Sequence, residues 1–395
     1  MLLSLPALDD GGIDFDTALA ACCLVAGNRW RDGFFSSDRG GASSVARPHD
    51  GILREPHYFF HLSGPLDPPY PVVPRFSHWR FPHGDLPPPW QRWAADAAAA
   101  SPPGAAQRCV LSNYGDGLEI AHLLPAGEDD WWLSNQMQQY SPTQLFSSDP
   151  INGPANLITL RADLHRVFDE RHFCHVPKVG SVGDGEEADT GNGAATVAGR
   201  PQPPPPQLVL HVFTSTPSGQ LPTLWHNRAV HPIPATVAVQ CLFTRFAWTV
   251  LSPRVFDLFL PSTPVPRRLL LWSREKGEWE TETASPEMCR TMWKNARSRS
   301  PRKRSAPTSV DDAAAAAEEQ LLLAEECLGL LDSGYSGTDE NDGNDGLGPA
   351  PRRSEKPRGR LRKRKLSLEE DEGDDCKNVG QSCRPRRKML VSILS

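Results

Sequence analysis

Between positions 108 and 178, three polar side chains stand out against apolar surroundings: His122, Asn156 and His165. His122 closes the run LEIAHLLP, Asn156 opens NLITL, and His165 sits in ADLHRVFDERHF, nine residues beyond Asn156. Imidazole changes charge near neutral pH, so one ring can take a proton from water while another helps to hold a divalent cation. A cation beside such a base would bind a phosphate and stabilise the oxygen that leaves it. An Asn nearby can fix the loop that carries the base.

These residues need elements that bring them together. The segment RCVLSNYGDGLEIAHLLP reads as strand (CVL), Gly-rich turn (SNYGDG) and strand (LEIAHLL). After a loop holding Trp131 and Trp132 comes NLITL, a short strand or turn. ADLHRVFDERHF then has helical spacing, with Leu164, Val167 and Phe168 on one side. Such an order could set a strand His and a helix His face to face across a cleft. FCHVPK (173–178) and QLVLHVF (207–213) read as extended runs, and VQCLFTRFAWTVLSPRVFDLFL (239–260) as an apolar helix closing the core. DTALAACCLVAGNRW (16–30) is an apolar helical patch, and AADAAAASPPGAAQ (94–107) a short Ala helix ended by Pro-Pro.

Composition bounds the rest. The chain has 395 residues, with 39 Pro, 31 Gly and 38% hydrophobic residues, enough for one core of about 150–200 residues. No run of 18 apolar residues suggests a membrane span, and MLLSLPALDD has no basic start like that of a signal peptide. Nine scattered Cys without a CxxC pair argue against a disulfide scaffold and a Cys-rich zinc site. The chain therefore reads as intracellular. The net charge of −6 averages opposed blocks, basic at 297–305 and 352–365 and acidic at 369–375. The basic runs suit nuclear targeting and non-specific phosphate contacts, and Ser367 suits acid-directed phosphorylation. All twelve His lie at or before position 231, so the chemistry belongs to the first two thirds.

As a joint pattern, AHxxP followed by N-L-x-x-L-x-x-D-L-H-x-x-F-D resembles the HNH endonuclease family, and is most similar to the HNH nuclease domains of fungal proteins. The resemblance implies an α+β fold: a ββα-metal core inside a larger globular region, followed by a disordered C-terminal tail. It implies a divalent-metal-dependent endonuclease that hydrolyses phosphodiester bonds in DNA. His122 would be the general base, Asn156 would hold its loop, and His165 would be a metal ligand. Family members carry Asp or His immediately before the base; here that position is Ala121, so Glu119 or Asp169 would supply the carboxylate. The metal is expected to be Mg²⁺ or Mn²⁺. Zinc-bearing relatives have a Cys pair where this chain has Arg161 and Leu164, so no structural zinc is expected.

The expected organisation is a Pro- and aromatic-rich region at 1–107 packing on the core, the nuclease domain at 108–178, and a disordered insertion at 179–206. The globular region then resumes at 207–285, and a charged low-complexity tail occupies 286–395 with a helix at 311–334 that could bind a protein partner. Ala121 also keeps open a second reading, a catalytically degenerate HNH fold that binds nucleic acid or protein. A third would place function in helix 311–334 and the tail. Cys109 and Cys174 are expected to pack as small apolar residues on adjacent strands, Trp131 and Trp132 to pack or to stack on bases, and His172 and His175 to lie at the surface.

Overall fold

The computed structural model describes residues 3–64, 70–99, 108–141, 150–179, 205–256, 267–288, 291 and 388–393. The insertion expected at 179–206 falls largely outside these residues, and the helix expected at 311–334 does so entirely. In chain order the elements are β1 (Leu3–Pro6), β2 (Ile13–Asp14), α1 (Phe15–Val25), β3 (Gly33–Ser36), β4 (Ser44–Val45), β5 (Ile52–Leu53), β6 (His57–Leu62) and α2 (Pro88–Ala99). Then follow β7 (Leu118–His122), α3 (Asp129–Ser134), β8 (Leu157–Arg161), α4 (Ala162–Asp169), β9 (Phe173–Lys178), β10 (Gln207–Val212), α5 (Gln220–Trp225), α6 (Val239–Val250), β11 (Arg267–Ser273), β12 (Glu278–Ala284) and β13 (Lys388–Ile393). Helices and strands are mixed, as an α+β fold requires.

Two helices form the centre because their sequences are apolar nearly all round. In α1, nine of eleven side chains are buried, and Asp14 caps its start by accepting from the Thr17 amide at 2.8 Å. In α6 every residue from Cys241 to Val250 is buried, and this helix packs against β9. An aromatic cluster joins the Pro-rich segment to both α3 and α6. Trp79 stacks on Trp131 with centroids 5.4 Å apart, and Phe243 meets Trp79 and Trp90 edge-on. Trp131 and Trp132 are thus buried in α3 rather than available to bases.

The five-stranded sheet runs β1-β13-β6-β3-β4. Residues 388–393, inside the stretch read as a charged tail, supply its second strand. β13 lies antiparallel to β1 (Val391 opposite Leu3) and parallel to β6 (Val391 opposite Tyr58).

Three local expectations change. The segment CVL does not pair with LEIAH as one hairpin. Asn113, with φ at 56°, returns its amide to the Cys109 carbonyl at 2.9 Å and closes a turn there. The partner of β7 is instead β8, and Val110 only touches it through one bond to Thr159 O. The helix expected over 239–260 ends at Val250, because Pro253 has no amide to continue it and restricts Ser252. His172 and His175 are buried, not superficial. His172 is pinned by Thr214 O and Arg254, and His175 lies against Phe168 and Phe173.

Candidate active site

Strand alternation sorts the β7–β8 ribbon into two faces. Glu119 and Ala121 pair with Leu160 and Ile158 and face α4, whereas Ile120 and His122 pair with Thr159 and Leu157 on the outer face. α4 follows β8 without a loop. Arg161 and Asp163 form a two-bonded ion pair at 2.6 and 2.7 Å across its first turn, with Asp163 complementing the helix dipole. Leu164 and Phe168 point into the core, which leaves His165 and Asp169 one turn apart on the neighbouring stripe. The helix stops where Arg171, at φ 63°, takes the left-handed conformation.

The structure brings Glu119, His165 and Asp169 together. His165 Nδ1 lies 2.7 Å from Glu119 Oε2, and its Nε2 lies 3.5 Å from Asp169 Oδ2. Asp169 raises the His165 pKa above the ordinary imidazole value, burial opposes this, and Glu119 adds to the rise. Burial alone would raise the Asp169 pKa; His165, with the charges of Arg245 and His122, outweighs it and holds the carboxyl below its usual range. His122 therefore reaches the group electrostatically, through Asp169. Its own hydrogen bond goes to Asn152 rather than to His165.

His122 Nε2 lies 2.6 Å from Asn152 Oδ1. The amide oxygen can only accept, so Nε2 is the donor in this bond. Asn156 is fully enclosed and staples the next turn. Its Oδ1 accepts from Leu124 N at 2.9 Å, its Nδ2 donates to Leu124 O and Ile151 O, and its own carbonyl accepts from Leu123 N at 2.8 Å. Three of these bonds fix the two residues that follow His122, and the fourth ties them to Ile151.

Two neighbours of the site were not legible as such. Asn152 sits in a Pro-Ile-Asn-Gly turn that any loop might contain. Arg245 lies in the middle of an apolar helix run, where charge normally marks a solvent face. It is instead completely buried, with Nη1 3.2 Å from Leu123 O and Nη2 donating to Phe168 O.

Asp169, His165 and Glu119 offer one ring nitrogen and two carboxylate oxygens, all partly exposed. This is a donor set that suits a hard or borderline divalent cation such as Mg²⁺ or Mn²⁺. The same ring lies between both carboxylates, so a bound cation would compete with any proton that the ring shares with them. Glu119 and Asp169 lie at opposite nitrogens of the His165 ring, so one cation could take all three donors only after a side chain turns. Ala121, at the position of the usual ligand, is enclosed and offers no donor, while Glu119 on the same face reaches His165.

Among the described residues, the donor atoms of Asp9, His211 and His226 all lie within 4.8 Å of one another. That buried trio already contains its cation. Lys178 Nζ is 2.5 Å and Asn227 Nδ2 is 2.7 Å from Asp9 Oδ1, and His226 Nε2 is 3.0 Å away. His226 Nδ1 accepts from Val212 N, so both of its nitrogens are engaged. Burial would raise the Asp9 pKa, but the bond from His226 and the Lys178 charge hold it far below the carboxylate range.

No helix among the described residues is long and apolar enough to cross a membrane. No curated protein and no solved structure matches the chain. Residues 109–174, the stretch that carries Glu119, His122, Asn156, His165 and Asp169, match the family model described as HNH endonuclease.

Proposed function

We propose that residues 108–178 form a ββα-metal nuclease domain that hydrolyses phosphodiester bonds in DNA with a divalent metal. The observation that carries this reading is the grouping of His165 with Glu119 and Asp169, with His122 felt by the same carboxylate, inside the family match. In the reaction, His122 Nδ1 takes a proton from water as the water oxygen bonds to phosphorus and the phosphorus–oxygen bond to the leaving group breaks. With Nε2 donating to Asn152, a neutral His122 ring leaves Nδ1 unprotonated, and Asn156 fixes the backbone behind it. Glu119, His165 and Asp169 would hold the metal, which when bound neutralises charge on the phosphate and on the leaving oxygen.

A second reading is favoured by one observation: enclosed Ala121 removes a ligand, which suits an HNH fold that binds nucleic acid without cutting it. Nicking of supercoiled plasmid by the full chain separates the two, run with Mg²⁺, Mn²⁺ or chelator and beside His122→Ala. The nuclease reading requires metal-dependent nicking that falls by about 10²–10⁴-fold in the variant. Plasmid binding without nicking under any metal would leave the binding module. The basic runs at 297–305 and 352–365 support import into a nucleus, which the location of a tagged chain with those runs neutralised would test.

A further inference from the structure

Arg245 is unusual on three counts. Its guanidinium is fully buried, no carboxylate among the described residues lies at ion-pair distance although the Asp169 charge acts on it from further off, and its Nε has no hydrogen-bond partner. Its bonds go instead to backbone carbonyls of two segments far apart in sequence. Nη1 donates to Leu123 O, directly after His122, and Nη2 to Phe168 O, directly before Asp169. The plane lies over the Phe168 ring at 3.5 Å and near the Trp248 ring at 4.7 Å. The rigid fork of a guanidinium can hold two carbonyls at fixed separation, which a single-point ammonium cannot. A buried charge whose hydrogen bonds all go to neutral carbonyls is a costly device for stability. What the arrangement does provide is a fixed spacing between the residue after the base and the residue before a carboxylate of the cation site.

We infer that Arg245 is a positioning residue of the nuclease site, clamping the His122 loop and the end of α4 at the separation catalysis needs. The inference rests on the nuclease reading above for its catalytic consequence, but the clamp is a physical property that can be measured without activity.

The test uses the full chain with Arg245→Met and Arg245→Lys. In Arg245→Met, amide exchange at Leu123, Leu124, Glu170 and Arg171 should accelerate together by about tenfold or more, while the β3–β6 pairing keeps its protection. Plasmid nicking, assayed well below the variant's Tm, should fall by about 30-fold or more with plasmid affinity held within about twofold. Arg245→Lys should recover only part of the rate, because one ammonium cannot reach both carbonyls. A merely structural Arg would behave otherwise: well below Tm, nicking would stay at the wild-type rate. That outcome overturns the inference, as does unchanged exchange at both segments. If the wild-type chain nicks nothing, the nuclease reading fails, and the exchange data alone decide whether the clamp exists.

Discussion

Asn156 is where the structure makes its most quantitative commitment. Replacing it with Ala removes three side-chain bonds, to Leu124 N, Leu124 O and Ile151 O, in a position with no access to water. At a net of about 1 kcal/mol per bond, plus the cost of leaving buried backbone groups unpaired, the loss is about 3–5 kcal/mol. For a folded unit of this size that lowers Tm by about 6–20 °C. Asn156→Asp is the sharper variant. Its carboxyl can still accept from Leu124 N, but it faces two carbonyls that need donors, so its folded pKa must rise above the unfolded value of about 3.9. Stability from the protonated form is then fully present below the unfolded pKa and is lost as pH rises through the raised folded value. Thermal melts of both variants from pH 4.5 to 8.5 measure this. A Tm within about 2 °C of wild type for Asn156→Ala, or an Asp deficit that stays flat with pH, would refute the staple.

Three further outcomes follow from described contacts. His165 should titrate above the ordinary imidazole value by NMR, its stabilisation fully present below about pH 6.5 and lost as pH rises through the raised value; Glu119→Gln should bring the midpoint down. Asp9→Ala should cost about 3–5 kcal/mol in a denaturant melt, because it strands the buried Lys178 ammonium beside neutral Asn227 and His226. Val391→Pro should lower Tm and release β1 to amide exchange, since a central strand cannot lose an amide without breaking its ladder.

What the sequence disclosed was whatever is encoded locally. The ADLHRVFD spacing gives α4 and sets His165 beside Asp169, and the apolar runs FCHVPK and QLVLHVF give β9 and β10. The partner of β7 was not local. The turn at Cys109–Asn113 depends on a left-handed Asn that no pattern requires, and the true partner β8 follows a long connection. His172 and His175 read as surface because imidazole is polar, yet their burial is set by α6 and Arg254 arriving from far along the chain. Arg245 was hidden for the opposite reason: its neighbours are apolar, and nothing in them tells that two distant carbonyls will converge on it.

The position of β13 has a consequence for how the protein is made. Its slot is flanked by β1 and β6, yet Lys388 is added to the chain 326 positions after Leu62. At ribosomal rates of about 5–20 residues per second, roughly 15–65 s pass before the filling strand exists. Throughout that interval both flanking strands offer unpaired amides and carbonyls, a template for any extended segment nearby. The nascent chain must therefore be shielded, or left with β1 undocked, until residues 388–393 emerge, and a ribosome that stalls within the charged region would leave that edge open.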